Sequence, residues 1–88
     1  MYYVYILQCR DGTLYTGIAA DVQKRLAVHN SGKGAKYTRS RLPVTLLYEE
    51  TQPDKSAALK RELEIKKLSR AQKLRLIASQ TEKYPTEP

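Results

Sequence analysis

Apolar and polar positions change period several times along the chain, and each change predicts an element. From Tyr2 to Cys9 almost every residue is aliphatic or aromatic, which predicts a strand. Arg10-Asp11-Gly12 interrupts the run as a turn, with Gly12 suited to a positive φ. Thr13 to Ile18 predicts the returning strand of a hairpin. Asp21 can cap a helix running to about Asn30, with Gly32 ending it. Residues 31 to 43 mix glycines, a proline and basic side chains and predict a cationic loop. "PVTLLYEE" predicts a third strand, and Asp54 caps a second helix to about Leu68. Ser69 with Gln72 fits a capping box for a third helix ending near Gln80. The order β-β-α-β-α-α predicts an α/β (α+β) domain over residues 1–80, a small three-stranded antiparallel sheet flanked by helices. A polar tail is expected at 81–88.

The helix faces carry the first chemical signal. Stepping about 100° per residue, Val22, Leu26 and Val28 mark the inward arc of the first helix. Arg25 and His29 fall inside that arc, while Gln23 and Lys24 lie outside it. In the second helix Leu59, Leu63, Ala58 and Ile65 mark the inward arc, and Glu62 lies in its middle with Lys66 beside it. An inward carboxylate costs several kcal/mol unless paired or bound to a cation. A bland alternative stands beside each: an i,i+4 pair of Glu62 with Lys66, and a hydrogen-bonded core histidine. An inward Arg, His and Glu together in one basic chain favour a site.

Hairpin register decides which tyrosines share a face. A two-residue loop would send Tyr5 and Tyr15 to opposite faces. A three-residue loop over 10–12 pairs Cys9 with Thr13, Leu7 with Tyr15 and Tyr5 with Gly17. Tyr5 and Tyr15 then become diagonal neighbours, and Tyr2 points the other way. Gly17 opposite Tyr5 would leave room for a substrate beside a phenol, or would merely relieve crowding.

Composition narrows the partners. The net charge is +7 on 88 residues, which favours an anionic partner such as nucleic acid. One cysteine allows no intrachain disulfide and fits a reducing compartment, so a soluble cytoplasmic protein is expected. No apolar run reaches the length of a membrane span. Lys33, Lys36, Arg39 and Arg41 supply phosphate-binding charge, and Tyr37 among them can stack on an unpaired base or tuck into the core.

Tyr3-Val4-Tyr5, then Tyr15-Thr16-Gly17, then Arg25-x-x-x-His29, resembles the signature of the GIY-YIG nuclease superfamily. "ALKRELEIKKLSR" resembles that family's later segment with its acidic metal ligand. Tyr3 stands where the signature has glycine, and Thr16 where it has isoleucine. The likeness covers about residues 2 to 75 and is nearest to small stand-alone bacterial members. It implies an endonuclease that hydrolyses DNA phosphodiester bonds with Mg2+ or Mn2+, structure-selective and linked to repair or recombination. It further implies that Tyr5 and Tyr15 line the site, Arg25 holds the scissile phosphate, His29 assists and Glu62 binds the metal. Gly17, Lys33, Lys36, Tyr37, Arg39, Arg41 and Lys66 complete the expected nucleic-acid contacts of a monomer. Tyr5, with its phenolate eased by the metal and Arg25, is the expected water-activating group. Two other classes stay open: a nucleic-acid-binding module of the same fold without turnover, and an adaptor for a repair protein. RNA stays open as an alternative substrate.

Overall fold

The structure, a computed structural model, describes residues 1–83. Seven elements follow one another: β1 (Tyr2–Gln8), β2 (Leu14–Ala19), α1 (Val22–Asn30), α2 (Lys36–Arg39), β3 (Thr45–Gln52), α3 (Lys55–Lys66) and α4 (Arg70–Lys83). The strands form one antiparallel sheet, as the order of elements predicted, and lie in it in the order β2-β1-β3. The central strand β1 is buried on both sides, which explains its unbroken run of apolar residues.

Turn chemistry sets the register. The Cys9 amide bonds to Thr13 O at 2.8 Å and Gly12 to Cys9 O at 2.9 Å, so the loop has three residues. Gly12 sits at φ +85, where a side chain would be strained. Asp11 braces the turn by accepting from the Thr13 amide and hydroxyl at 3.1 and 2.6 Å. Tyr5 therefore pairs with Gly17 and Leu7 with Tyr15.

The two faces of the sheet bury different sets. Val4, Ile6 and Tyr48 pack under Ala58 and Ile65 of α3, with Leu76 and Ile77 of α4 completing the cluster. Tyr5, Leu7, Cys9, Val22 and Val44 form the core on the side of α1. The Gln80 side chain bonds both the amide and the carbonyl of Glu49, pairing backbone groups on edge strand β3.

Three expectations change. Residues 31–43 are not all loop, because Lys36–Arg39 form the short helix α2 around buried Thr38. The inward arc of α3 is rotated: Leu59 and Leu63 are 43% and 58% exposed, while Ala58 and Ile65 are fully buried. Small Ala58 lets the helix axis approach the sheet, and the leucines flank that contact instead of making it. Thr81 to Lys83, expected in the tail, belong to α4, and the rest of that tail lies outside the described residues.

Candidate active site

Asp21 fixes the start of α1, its carboxylate accepting from the Lys24 amide at 3.0 Å. This phase turns His29 fully inward and leaves Arg25 half-buried at the rim. Tyr5 comes from β1 beneath, 2% exposed. Its hydroxyl meets His29 Nε2 at 3.0 Å. The other ring nitrogen, Nδ1, lies 2.9 Å from Thr38 Oγ1, and that hydroxyl donates to Ala35 O at 2.9 Å. Tyr15 meets the same imidazole edge-on, centroids 5.4 Å apart.

Two glycines are shaped to this cluster. A Cβ on Gly17 would stand 2.6 Å from the Tyr5 hydroxyl. The space at Gly17 is thus filled by the Tyr5 phenol and is not left open for a substrate, because the two lie directly opposite across the strand pair. A Cβ on Gly34 would come within 2.5 Å of His29 Nδ1 and 2.9 Å of its Cα. Gly34 therefore lets the loop close over the imidazole.

Electrostatics follow from this packing. Burial pushes the Tyr5 phenol above its ordinary 10.0, even though Arg25 beside the hydroxyl favours the phenolate. Tyr15 and Glu62 oppose ionisation further. An eased phenolate was the expectation, and in the protein alone desolvation outweighs the guanidinium. His29 is held below 6.5, first by burial and then by the Arg25 charge, so it is neutral at neutral pH.

Glu62 reaches this field from α3, which packs on β2 and β1. Its side chain is 16% exposed and its carboxylate pairs with Lys66 at 3.3 Å, whose own side chain is half exposed. No group of three His, Cys, Asp or Glu side chains suited to a metal occurs among the described residues. A lone carboxylate fits a hard cation whose other positions are filled by water and phosphate oxygens, and does not fit a tightly held structural ion. The Lys66 pair is of the weak i,i+4 kind, about 0.3–0.5 kcal/mol when exposed, so it does not bar a cation.

The basic segment divides. Lys33, Lys36 and Arg39 are exposed and free to meet phosphates. Arg41 is not: its Nε pairs with Asp11 at 3.1 Å and its NH1 donates to Tyr37 O at 2.7 Å. Its guanidinium also lies 4.0 Å over the Tyr37 ring. Tyr37 in turn stacks on Tyr15 with centroids 6.1 Å apart, leaving 39% of the residue exposed. It neither enters the core nor stands clear of it. A groove of about 600 Å³ opens beside Arg25, floored by Tyr2, Ile18 and Val28 and edged by Lys24 and Lys55.

Tyr5, Tyr15, Arg25, His29 and Glu62 thus share one neighbourhood. Thr38 and Gly34 were missed by sequence reasoning. A buried histidine needs partners on both nitrogens, and the hydroxyls of the following loop were the signal.

A phenol, an imidazole, a guanidinium and a carboxylate thus stand in one neighbourhood around the central strand of a small antiparallel sheet. A profile of the GIY-YIG catalytic domain matches residues 1–75, and the chain belongs to the GIY-YIG family. A UPF0213 protein of Staphylococcus saprophyticus is 57% identical over 88% of this chain and 94% of its own length. A UPF0213 protein of the archaeal species Natronomonas pharaonis is 56% identical over 91% of this chain and 94% of its own. The solution NMR structure of a UPF0213 protein from Bacillus halodurans, 49% identical, superposes with a TM-score of 0.57 over 89% of this chain and 84% of that one. GIY-YIG enzymes are nucleases that generally use divalent metal ions.

Proposed function

We propose that this protein hydrolyses phosphodiester bonds of DNA with Mg2+ or Mn2+, cutting flapped or branched structures of the kind met in repair and recombination. The observation that carries this is the 3.0 Å contact of the Tyr5 hydroxyl with His29 Nε2 beside Arg25. It joins a proton-transfer pair to a phosphate-binding fork.

Attack of water at phosphorus needs a group to take the water's proton. Tyr5, its phenol raised by burial, is not a standing phenolate. It acts as a relay, accepting the water's proton while passing its own to His29 Nε2. His29 is held neutral and can accept that proton. Arg25 holds non-bridging phosphate oxygens through two N–H groups, a geometry that Lys lacks. Tyr15, edge-on to His29, positions the substrate. Glu62 would hold the cation, which when bound neutralises charge developing on the phosphate and the leaving oxygen. The cationic groove between Lys24 and Lys55 supports a seat for the strand next to Arg25.

The test is a Mg2+ and Mn2+ titration with labelled linear, flapped and branched DNA. Wild type is expected to cut with either ion, fastest on branched DNA, and Glu62→Ala to bind without cutting. Equal cleavage by wild type and Glu62→Ala would overturn the mechanism. The second reading, nucleic-acid binding without turnover, is supported by the Glu62–Lys66 pair, in which the carboxylate already has a cationic partner. It predicts DNA binding with no cleavage under any ion.

A further inference from the structure

We infer that Thr38 is a positioning residue: its hydroxyl fixes His29 as the Nδ1-protonated tautomer and so presents the lone pair of Nε2 to Tyr5. The inference about the tautomer stands on geometry alone, and its consequence for catalysis rests on the nuclease reading above.

The assignment follows from counting donors at both ends of the chain of contacts. Tyr5 is buried, and its hydroxyl proton needs an acceptor. Arg25, the other side chain that bonds that hydroxyl among the described residues, carries only donors, while Tyr15 and Glu62 act on the phenol only through charge. His29 Nε2, at 3.0 Å, is the acceptor, so it carries no proton. A neutral imidazole must then hold its proton on Nδ1, which points at Thr38 Oγ1 at 2.9 Å. Thr38 can accept there because its own proton goes to Ala35 O, also at 2.9 Å. Every donor along Tyr5, His29, Thr38 and Ala35 finds one acceptor. The opposite tautomer would place two donors on the Tyr5 oxygen and leave the phenol proton without a partner.

The chain is also mechanically fixed. His29 and Thr38 are both fully buried. Gly34 lets the loop lie against the imidazole, and one turn of α2 carries Thr38 back over it. When Tyr5 passes its proton to Nε2, the Nδ1–H bond to Thr38 persists and strengthens as the ring becomes an imidazolium. Thr38 touches neither substrate nor cation and acts through His29. Among the described residues the titratable or charged groups facing the ring are Tyr5 from β1, Tyr15 from β2 and Arg25 from α1, none of them a carboxylate.

His29 is the single histidine of the chain, so every imidazole signal belongs to it. Two-bond proton–nitrogen correlation spectra at neutral pH read the tautomer directly. Wild type and Thr38→Ser are expected to show protonation at Nδ1. Thr38→Val should move the proton to Nε2 or give an exchange average. In the cleavage assay Thr38→Val should lose roughly 10–100-fold in kcat, the scale known for removing a partner that orients a metal-bound histidine, with KM little changed and Thr38→Ser restoring the rate. Protonation at Nε2 in wild type would overturn the inference, as would a Thr38→Val protein that keeps the Nδ1 tautomer and full kcat. If Thr38→Val does not fold, Thr38→Ala takes its place in both measurements. Should wild type cut no DNA with any ion, the nuclease reading falls while the spectra still decide the tautomer.

Discussion

The two faces of the sheet each hold a polar network, and the networks differ in how they end. On the α3 side the Tyr48 hydroxyl donates to Glu50, Gln52 donates to the same carboxylate at 2.7 Å, and Arg61 pairs with it at 2.8 Å and with Glu64 at 3.2 Å. One guanidinium serves two carboxylates in this set; Glu50 is held below the ordinary carboxylate range by Tyr48, Arg61 and Gln52, against the opposing effect of burial. Tyr48 is pushed up to about 12, first by burial and then by that carboxylate. The set is closed, and its work is to join β3 to α3. On the α1 side the Tyr5–His29–Thr38 chain carries no charge, and the guanidinium beside its phenol also lines a groove that runs between α1 and α3. Here an uncharged chain that can move one proton lies beside a guanidinium that bonds its phenol, an arrangement that suits the proposed exchange with a phosphate.

Removing the cation on each side should separate the two roles most sharply. Arg25→Ala should lower cleavage roughly 10²–10³-fold, as expected for losing a donor aimed at developing charge, with the melting temperature little changed. Glu50→Ala should do the reverse, costing about 1–3 kcal/mol in urea titrations while cleavage by the folded protein persists. The upper end is discounted because Arg61 is about a third exposed and keeps Glu64. A loss of catalysis in Glu50→Ala without unfolding would merge the two faces.

Gly34→Ala comes next. The new Cβ must displace His29 backbone and ring atoms, and overpacking of this kind costs about 1–3 kcal/mol. Stability and cleavage should fall together, because the atoms displaced belong to the relay. Unchanged stability would show that the loop yields freely.

On the other face Thr16→Val should raise stability by about 1 kcal/mol. Thr16 is 4% exposed, and its hydroxyl has no hydrogen-bond partner among the described residues. It stands where the family signature has isoleucine, so an apolar replacement restores the expected core. A loss of stability would reveal an unseen partner for that hydroxyl.

The smallest effect is on pH dependence. His29 is depressed below 6.5, so the unfolded chain binds a proton that the folded one resists. Stability is therefore full above that value and declines as pH falls through the window beneath it. Asp11 and Glu50 are depressed below 3.8 and 4.5, so their share is lost only at lower pH. His29→Gln should flatten the upper decline and leave the lower one. Melting temperatures across both windows check this.

Legibility in the sequence followed the strength of local signals. Asp21, Asp54 and Ser69 fixed three helix starts because each side chain bonds an amide within its own first turn. Hairpin register was narrowed to two parities because turn length and side-chain parity are linked, and the Cys9–Thr13 bond decides between them. The α3 face was not, since the periodicity of its leucines points one way and the small size of Ala58 the other. Helix α2 has four residues, too few for any period to show. Thr38 was passed over because a lone threonine among basic residues looks solvated and its partner is nine positions away; the need of a buried histidine for a second partner was the one signal for it. The phenol's raised pKa could not be read either, since it depends on depth of burial, which a strand pattern does not measure.

The three-residue turn at 10–12 has a consequence for how such a chain can vary. No atom of Arg10, Asp11 or Gly12 belongs to the Tyr5–His29–Thr38 chain, yet their number decides that Tyr5 and Tyr15 share a face. A one-residue insertion or deletion absorbed by the strand pairing would turn one of the two tyrosines to the far side. A two-residue change would keep the parity. Related chains that preserve the chemistry should therefore change this turn in steps of two or confine odd changes to a bulge.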